Sequence, residues 1–150
     1  MDLKEIDNNA TGALYLMAGA GAMPVYGIVN LDNLGAIYVM WQTGKNIKDF
    51  LKDENIPDHH KDEKIKKINL CKKTILENYY TDTTVFGMRK NDASPIVITD
   101  GIHRAIGIYR AMVESPLVKS KVMLRMLLFT GEEVGGLEDY KKSIESNAWE

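Results

Sequence analysis

Residues 95–112 read Pro-Ile-Val-Ile-Thr-Asp-Gly-Ile-His-Arg-Ala-Ile-Gly-Ile-Tyr-Arg-Ala-Met, and the fold is decided by how this stretch is read. Pro95 to Thr99 is a short apolar run of strand length. From Ile102 the period changes: Ile102, Ala105, Ile106, Tyr109, Met112 and Val113 fall on one side of a helix, and Pro116 stands just past its end. Only Asp100 and Gly101 join the two elements. A strand that feeds a helix so abruptly leaves the N–H groups of Ile102, His103 and Arg104 without intrahelical acceptors. The helix dipole adds about half a positive charge there, and Gly101 lets a ligand approach the backbone closely. Arg104 can fork two oxygens of one phosphate. Its position is the sharper clue, because first helical turns favour acids and a cation there is unfavourable unless an anion neutralises it. Phosphate is the natural ligand of such a terminus.

Working outward, Thr83 to Arg89 is β-branched and aromatic, and Lys90 to Ser94 is a polar connection to the run at Pro95, which predicts a hairpin. Downstream, Val122 to Thr130 is a nearly continuous apolar run, the pattern of a strand covered on both faces. Upstream, Asp58 offers a cap for a helix reaching Asn78. In it Ile65, Ile68, Cys71 and Ile75 form the inward stripe, while Lys66, Lys67, Lys72 and Lys73 face water. Residues 1–57 read as mostly helical. Leu14, Met17 and Ala18 share a helical face; Leu34, Ile37, Tyr38 and Trp41 repeat at i, i+3, i+4, i+7; Ile47, Phe50 and Leu51 suggest a short helix closed by Pro57. Pro24 to Asn30 is an alternative short strand between them. The polar tail, Gly135 to Glu150, reads as a peripheral helix. These elements predict an α+β fold in a single domain over residues 1–150.

Composition agrees with that class. The chain has 150 residues, 45% hydrophobic and 27% charged, the balance of one globular domain large enough to hold together without disulfides or a structural metal. Its one cysteine, Cys71, cannot form an internal bridge, and the acidic residues ahead of the apolar stretch Ala13 to Met23 argue against a signal peptide, so a cytoplasmic setting is expected. That stretch is too short to span a bilayer, so no membrane partner is expected. A net charge of −2 supplies no global field for nucleic acid, which leaves only local contact with it.

Thr99-Asp-Gly-Ile-His-Arg104, after a hairpin and before a helix, resembles the signature turn of the ParB/sulfiredoxin superfamily. The resemblance covers about residues 58–130. Gly101, Arg104 and the helix behind them match, Asp100 and His103 match the fuller form, and Ile102 departs from it. Since sulfiredoxins carry a cysteine in that loop and this chain does not, a reductase of that type is not expected. The resemblance implies a small sheet with packed helices, to which the periodicity of residues 1–57 adds a helical N-terminal extension. It also implies a nucleotide-phosphate site for ATP or CTP with Mg2+. On these grounds Gly101, Ile102, His103 and Arg104 are expected to bind phosphate, Asp100 to hold magnesium, and Asp100 and His103 to act in catalysis. The implied activity is phosphoryl transfer to an unidentified acceptor, or nucleotide hydrolysis. A ParB-like nuclease and a DNA-binding partition or regulatory module are the alternatives.

Other residues carry weaker signals. His59 and His60 with Asp62 read as a solvated helix start, since consecutive helical residues do not share a face. Gly19-Ala-Gly21 lacks the strand and the third glycine of a dinucleotide loop. Tyr79 and Tyr80 suit base stacking and hairpin packing equally. His103, Gly107, Arg110 and Glu114 share one face of their helix, opposite the apolar stripe, which reads as solvated. Gly107, which costs about 1 kcal/mol relative to alanine in mid-helix, marks a close approach by another element or by substrate.

Overall fold

The apolar run from Val122 to Thr130 is a strand inside a mixed six-stranded sheet, and the remaining elements are arranged around it. The computed structural model describes residues 3–5, 23–41, 44–78, 81–89 and 93–130. The strands are β1 (Leu3–Glu5), β2 (Met23–Val29), β3 (Tyr38–Val39), β4 (Thr81–Arg89), β5 (Val97–Asp100) and β6 (Val122–Thr130), laid side by side as β1-β2-β6-β4-β5-β3. β6 runs antiparallel to β2 and parallel to β4. β4 and β5 form the expected hairpin, and β3 adds to β5 in parallel at the edge. Two long helices, α1 (Lys61–Asn78) and α2 (Ile102–Glu114), accompany three 3-10 segments, Leu31–Ala36, Ile47–Leu51 and Asp53–Asn55. This is an α+β architecture. No helix among the described residues is long and apolar enough to cross a membrane.

The strand alternation assigns each face of the sheet. Val122, Leu124, Met126 and Leu128 of β6 join Val85 of β4 and Ile98 of β5 in one core with Ile68 and Ile75 of α1 and Ile102, Ala105, Ile106 and Ile108 of α2. Burial of each such isoleucine or leucine contributes about 1.5–3 kcal/mol. On the opposite face Met88, Leu127 and Phe129 are buried as well, while Met123 is exposed, so β6 is covered on both faces only toward its C-terminal end.

The helix expected over Leu34 to Trp41 is absent. Leu31 and Leu34 are buried at i, i+3 on the 3-10 segment, and Ile37 and Val39 are buried at i, i+2 where the chain turns into β3. Two short elements in succession thus imitate one helical period. Gly35 makes the junction tight, since a Cβ there would lie 2.7 Å from the Tyr109 ring. The described residues within 1–57 include three strands as well as short 3-10 helices. The face of α2 carrying Gly107 and Arg110 is not solvated. At Gly107 a Cβ would stand 2.7 Å from Cys71 Cβ and 3.1 Å from the Ile68 carbonyl oxygen, so α1 is the element that approaches. Arg110 is buried, its Nε and Nη2 donating to the Phe50 carbonyl at 3.0 and 2.7 Å and its Nη1 to Asp53 at 2.8 Å. Glu114 closes the same face with an ion pair to Lys72. The helical reading at Leu14, the glycines at 19 and 21, Tyr79, Tyr80 and the tail helix lie outside the described residues.

Candidate functional site

The turn between β5 and α2 is shaped by two local irregularities. Phe86 pairs with Asp100 whereas Gly87 pairs with Ile98, so Thr99 is an extra residue on β5 and bulges the strand just before the turn. The Thr99 hydroxyl donates to the Phe86 carbonyl at 3.2 Å. Gly101 follows at φ +83°, in the left-handed region, and a Cβ there would also lie 2.6 Å from Val85 Cγ1. Only glycine fits both demands. As the N-cap it supplies no side-chain acceptor. The first backbone bond of α2 runs from the Ala105 N–H to the Gly101 carbonyl, so the N–H groups of Ile102, His103 and Arg104 precede it. No acidic residue occupies that first turn.

The expected site residues come together at this terminus with different exposures. Ile102 is 3% exposed, so its side chain belongs to the core and only its N–H is available to a ligand. Asp100 is half-buried at the end of β5. Arg104 is exposed, and its guanidinium folds back across the turn, with Nη2 3.0 Å from the position a Gly101 Cβ would take. His103 turns the other way and packs edge-on against the Trp41 indole, ring centroids 5.0 Å apart.

That contact brings in residues that the sequence did not mark as part of the site. Trp41 follows β3 and also meets Phe50 edge-on at 5.8 Å. Lys64 of α1 is 4% exposed; its Nζ lies 5.3 Å from the Trp41 ring centroid and donates to the His59 carbonyl. Lys67 stands one turn farther along α1. Burial, together with the charges of Lys67, Lys64 and Arg104, lowers the His103 pKa to about 4. His103 is therefore a neutral imidazole at pH 7, suited to hydrogen bonding or accepting a proton rather than donating one from an imidazolium. The signal for Lys64 was present in the sequence, because Lys64, Ile68, Cys71 and Ile75 lie at i, i+4, i+7, i+11 and the lysine thus occupies a position of the inward stripe.

Among the described residues no group of three or more His, Cys, Asp or Glu side chains is placed to hold a metal ion. Asp100 alone fits the mode in which magnesium takes one carboxylate from a protein and its other ligands from phosphates and water. His59 and His60 precede α1 as exposed turn residues, with His60 Nδ1 3.5 Å from Glu63. Searches against protein-family models, curated proteins and solved structures find no match for this chain.

Proposed function

We propose that this chain binds the phosphates of a nucleoside triphosphate, ATP or CTP with Mg2+, at the N-terminus of α2, and uses that site for phosphoryl transfer or hydrolysis. One observation carries the reading: the first turn of α2 is capped by a left-handed glycine, holds no acid and carries Arg104, whose guanidinium folds back across the turn. A cation at the positive end of a helix dipole is disfavoured, and an anion bound there offsets that cost. The turn resembles that of the ParB/sulfiredoxin superfamily, whose members bind nucleotide phosphates in this place.

In this reading the N–H groups of Ile102, His103 and Arg104 hold phosphate oxygens, and the Arg104 guanidinium forks across two of them. Gly101 lets the chain take the left-handed turn, packed against Val85, that starts α2 at these N–H groups. Neutral His103 donates one N–H to an oxygen or takes up the acceptor's proton, with Trp41 fixing its ring. Asp100 holds the nucleotide's magnesium or accepts that proton. When bound, magnesium would neutralise charge on the phosphates. Phosphoryl transfer asks mainly for positioning and electrostatic stabilisation, which this set supplies.

Calorimetric titration of MgATP and of MgCTP into the folded wild type and Arg104→Ala tests the reading. Binding of at least one nucleotide, weakened by about 1.5–3 kcal/mol in the variant, is expected for the loss of a charge-assisted hydrogen bond. Absence of binding by both nucleotides refutes it, as does binding that Arg104→Ala leaves unchanged.

A further inference from the structure

Arg104 borders a second feature. A groove of about 240 Å3 opens between α1, β4 and α2. Cys71, Ile75 and Ile108 form its apolar wall, and Thr74, Thr83 and Arg104 complete the lining. The same guanidinium also covers Gly101, so groove and turn share one cation. The Thr74 hydroxyl donates to the Leu70 carbonyl at 2.9 Å and keeps its lone pairs for accepting.

We infer that this groove is the subsite for the organic body of a small phosphate ester whose phosphate group is held by Arg104 and the turn at Gly101. The inference rests on the phosphate reading above and adds the ligand's shape. The groove is smaller than the roughly 300–1,000 Å3 of pockets that enclose a drug-sized ligand. It therefore takes one compact part of a molecule rather than the whole. Its wall selects a mainly apolar body of the size of an aromatic ring, and Thr74 and Thr83 permit a few polar atoms on it. The Arg104 cation fixes the anionic end next to the α2 terminus.

Cys71 is the chain's only cysteine and lies in the wall, so its reactivity reports on occupancy. Two quantities are read with inorganic phosphate, phenyl phosphate, AMP and CMP as probes: affinity, from the amide shifts of residues 102–104, and the rate at which Cys71 reacts with a thiol reagent at saturating probe. Saturation with inorganic phosphate controls for the neutralised charge of Arg104. Phenyl phosphate is expected to bind about tenfold more tightly than inorganic phosphate, as burial of a ring's apolar surface would give. It is also expected to slow Cys71 labelling several-fold where inorganic phosphate does not. Thr83→Leu, which fills the groove, should erase both differences while inorganic phosphate still binds. Protection by AMP or CMP assigns the groove to a nucleotide base; protection by phenyl phosphate alone assigns it to a non-nucleotide body. If inorganic phosphate shifts residues 102–104 but no ester binds more tightly or protects Cys71, the groove inference fails and the phosphate reading stands. If no probe shifts those amides, both fail.

Discussion

Lowering the pH from 7 to 4.5 should destabilise this protein through His103 in particular. Folded, the ring is held to a pKa of about 4 by burial and by Lys67, Lys64 and Arg104. Unfolded, it returns to 6.5. Above pH 6.5 both states are neutral and the full contribution is present. As the pH falls toward 4 the unfolded state takes up a proton that the folded state refuses, so stability is lost. A separation of about 2.5 units gives a ceiling of about 2.5 kcal/mol at pH 4.5, and about 2 kcal/mol is expected once residual water contact with the largely buried ring is allowed for. Carboxylates titrate in the same range, so the comparison is between wild type and His103→Gln, by urea denaturation at steps from pH 7.5 to 4.5. The stability difference between the two should shrink by that amount as the pH falls, and the His103 ring protons should titrate in NMR with a midpoint near 4. Parallel pH profiles, or a midpoint near 6.5, would refute the proposed packing of Lys64, Trp41 and His103.

Other perturbations probe separate parts of the account. A bound phosphate should draw the His103 pKa back upward, so nucleotide titrations at pH 5.5 in buffers of different ionisation enthalpy should reveal proton uptake. Gly107→Ala gains about 1 kcal/mol of helix propensity but forces apart α1 and α2 at a cost of about 1–3 kcal/mol; thermal melts should show a net loss of stability. Arg110→Met leaves the Phe50 carbonyl buried without its two donors, and a loss of about 2–3 kcal/mol in denaturant unfolding is expected. Gly101→Ala meets both the +83° φ and Val85 and should lose about 1–3 kcal/mol; wild-type stability in that variant would contradict the turn geometry.

The parts of the fold that could be read from the sequence are those where one element sets one period. The run from Pro95 through Met112 changes from strand to helix with nothing but Asp100-Gly101 between, and the structure turns there through a left-handed glycine. Val122 to Thr130 and the helix ending at Asn78 were equally plain. Leu34 to Trp41 misleads because a 3-10 segment followed by a two-residue strand sums to helical spacing. The site was half legible. Local chemistry exposed Gly101 and Arg104, whereas Trp41 reaches His103 across more than 60 residues of chain that only tertiary packing brings together. Arg110 looked solvated because charge outweighed position, and Lys64 drew no attention for the same reason, although each sits at a helical register that α2 and α1 bury against their neighbours.

The most direct test of the phosphate site is a backbone amide NMR titration with MgATP and MgCTP. At least one nucleotide should produce its largest shifts at Ile102, His103 and Arg104, together with the Trp41 indole, and these should disappear in Arg104→Ala. Shifts centred elsewhere on the sheet, or none with either nucleotide, would mean that the turn at Gly101 only caps α2.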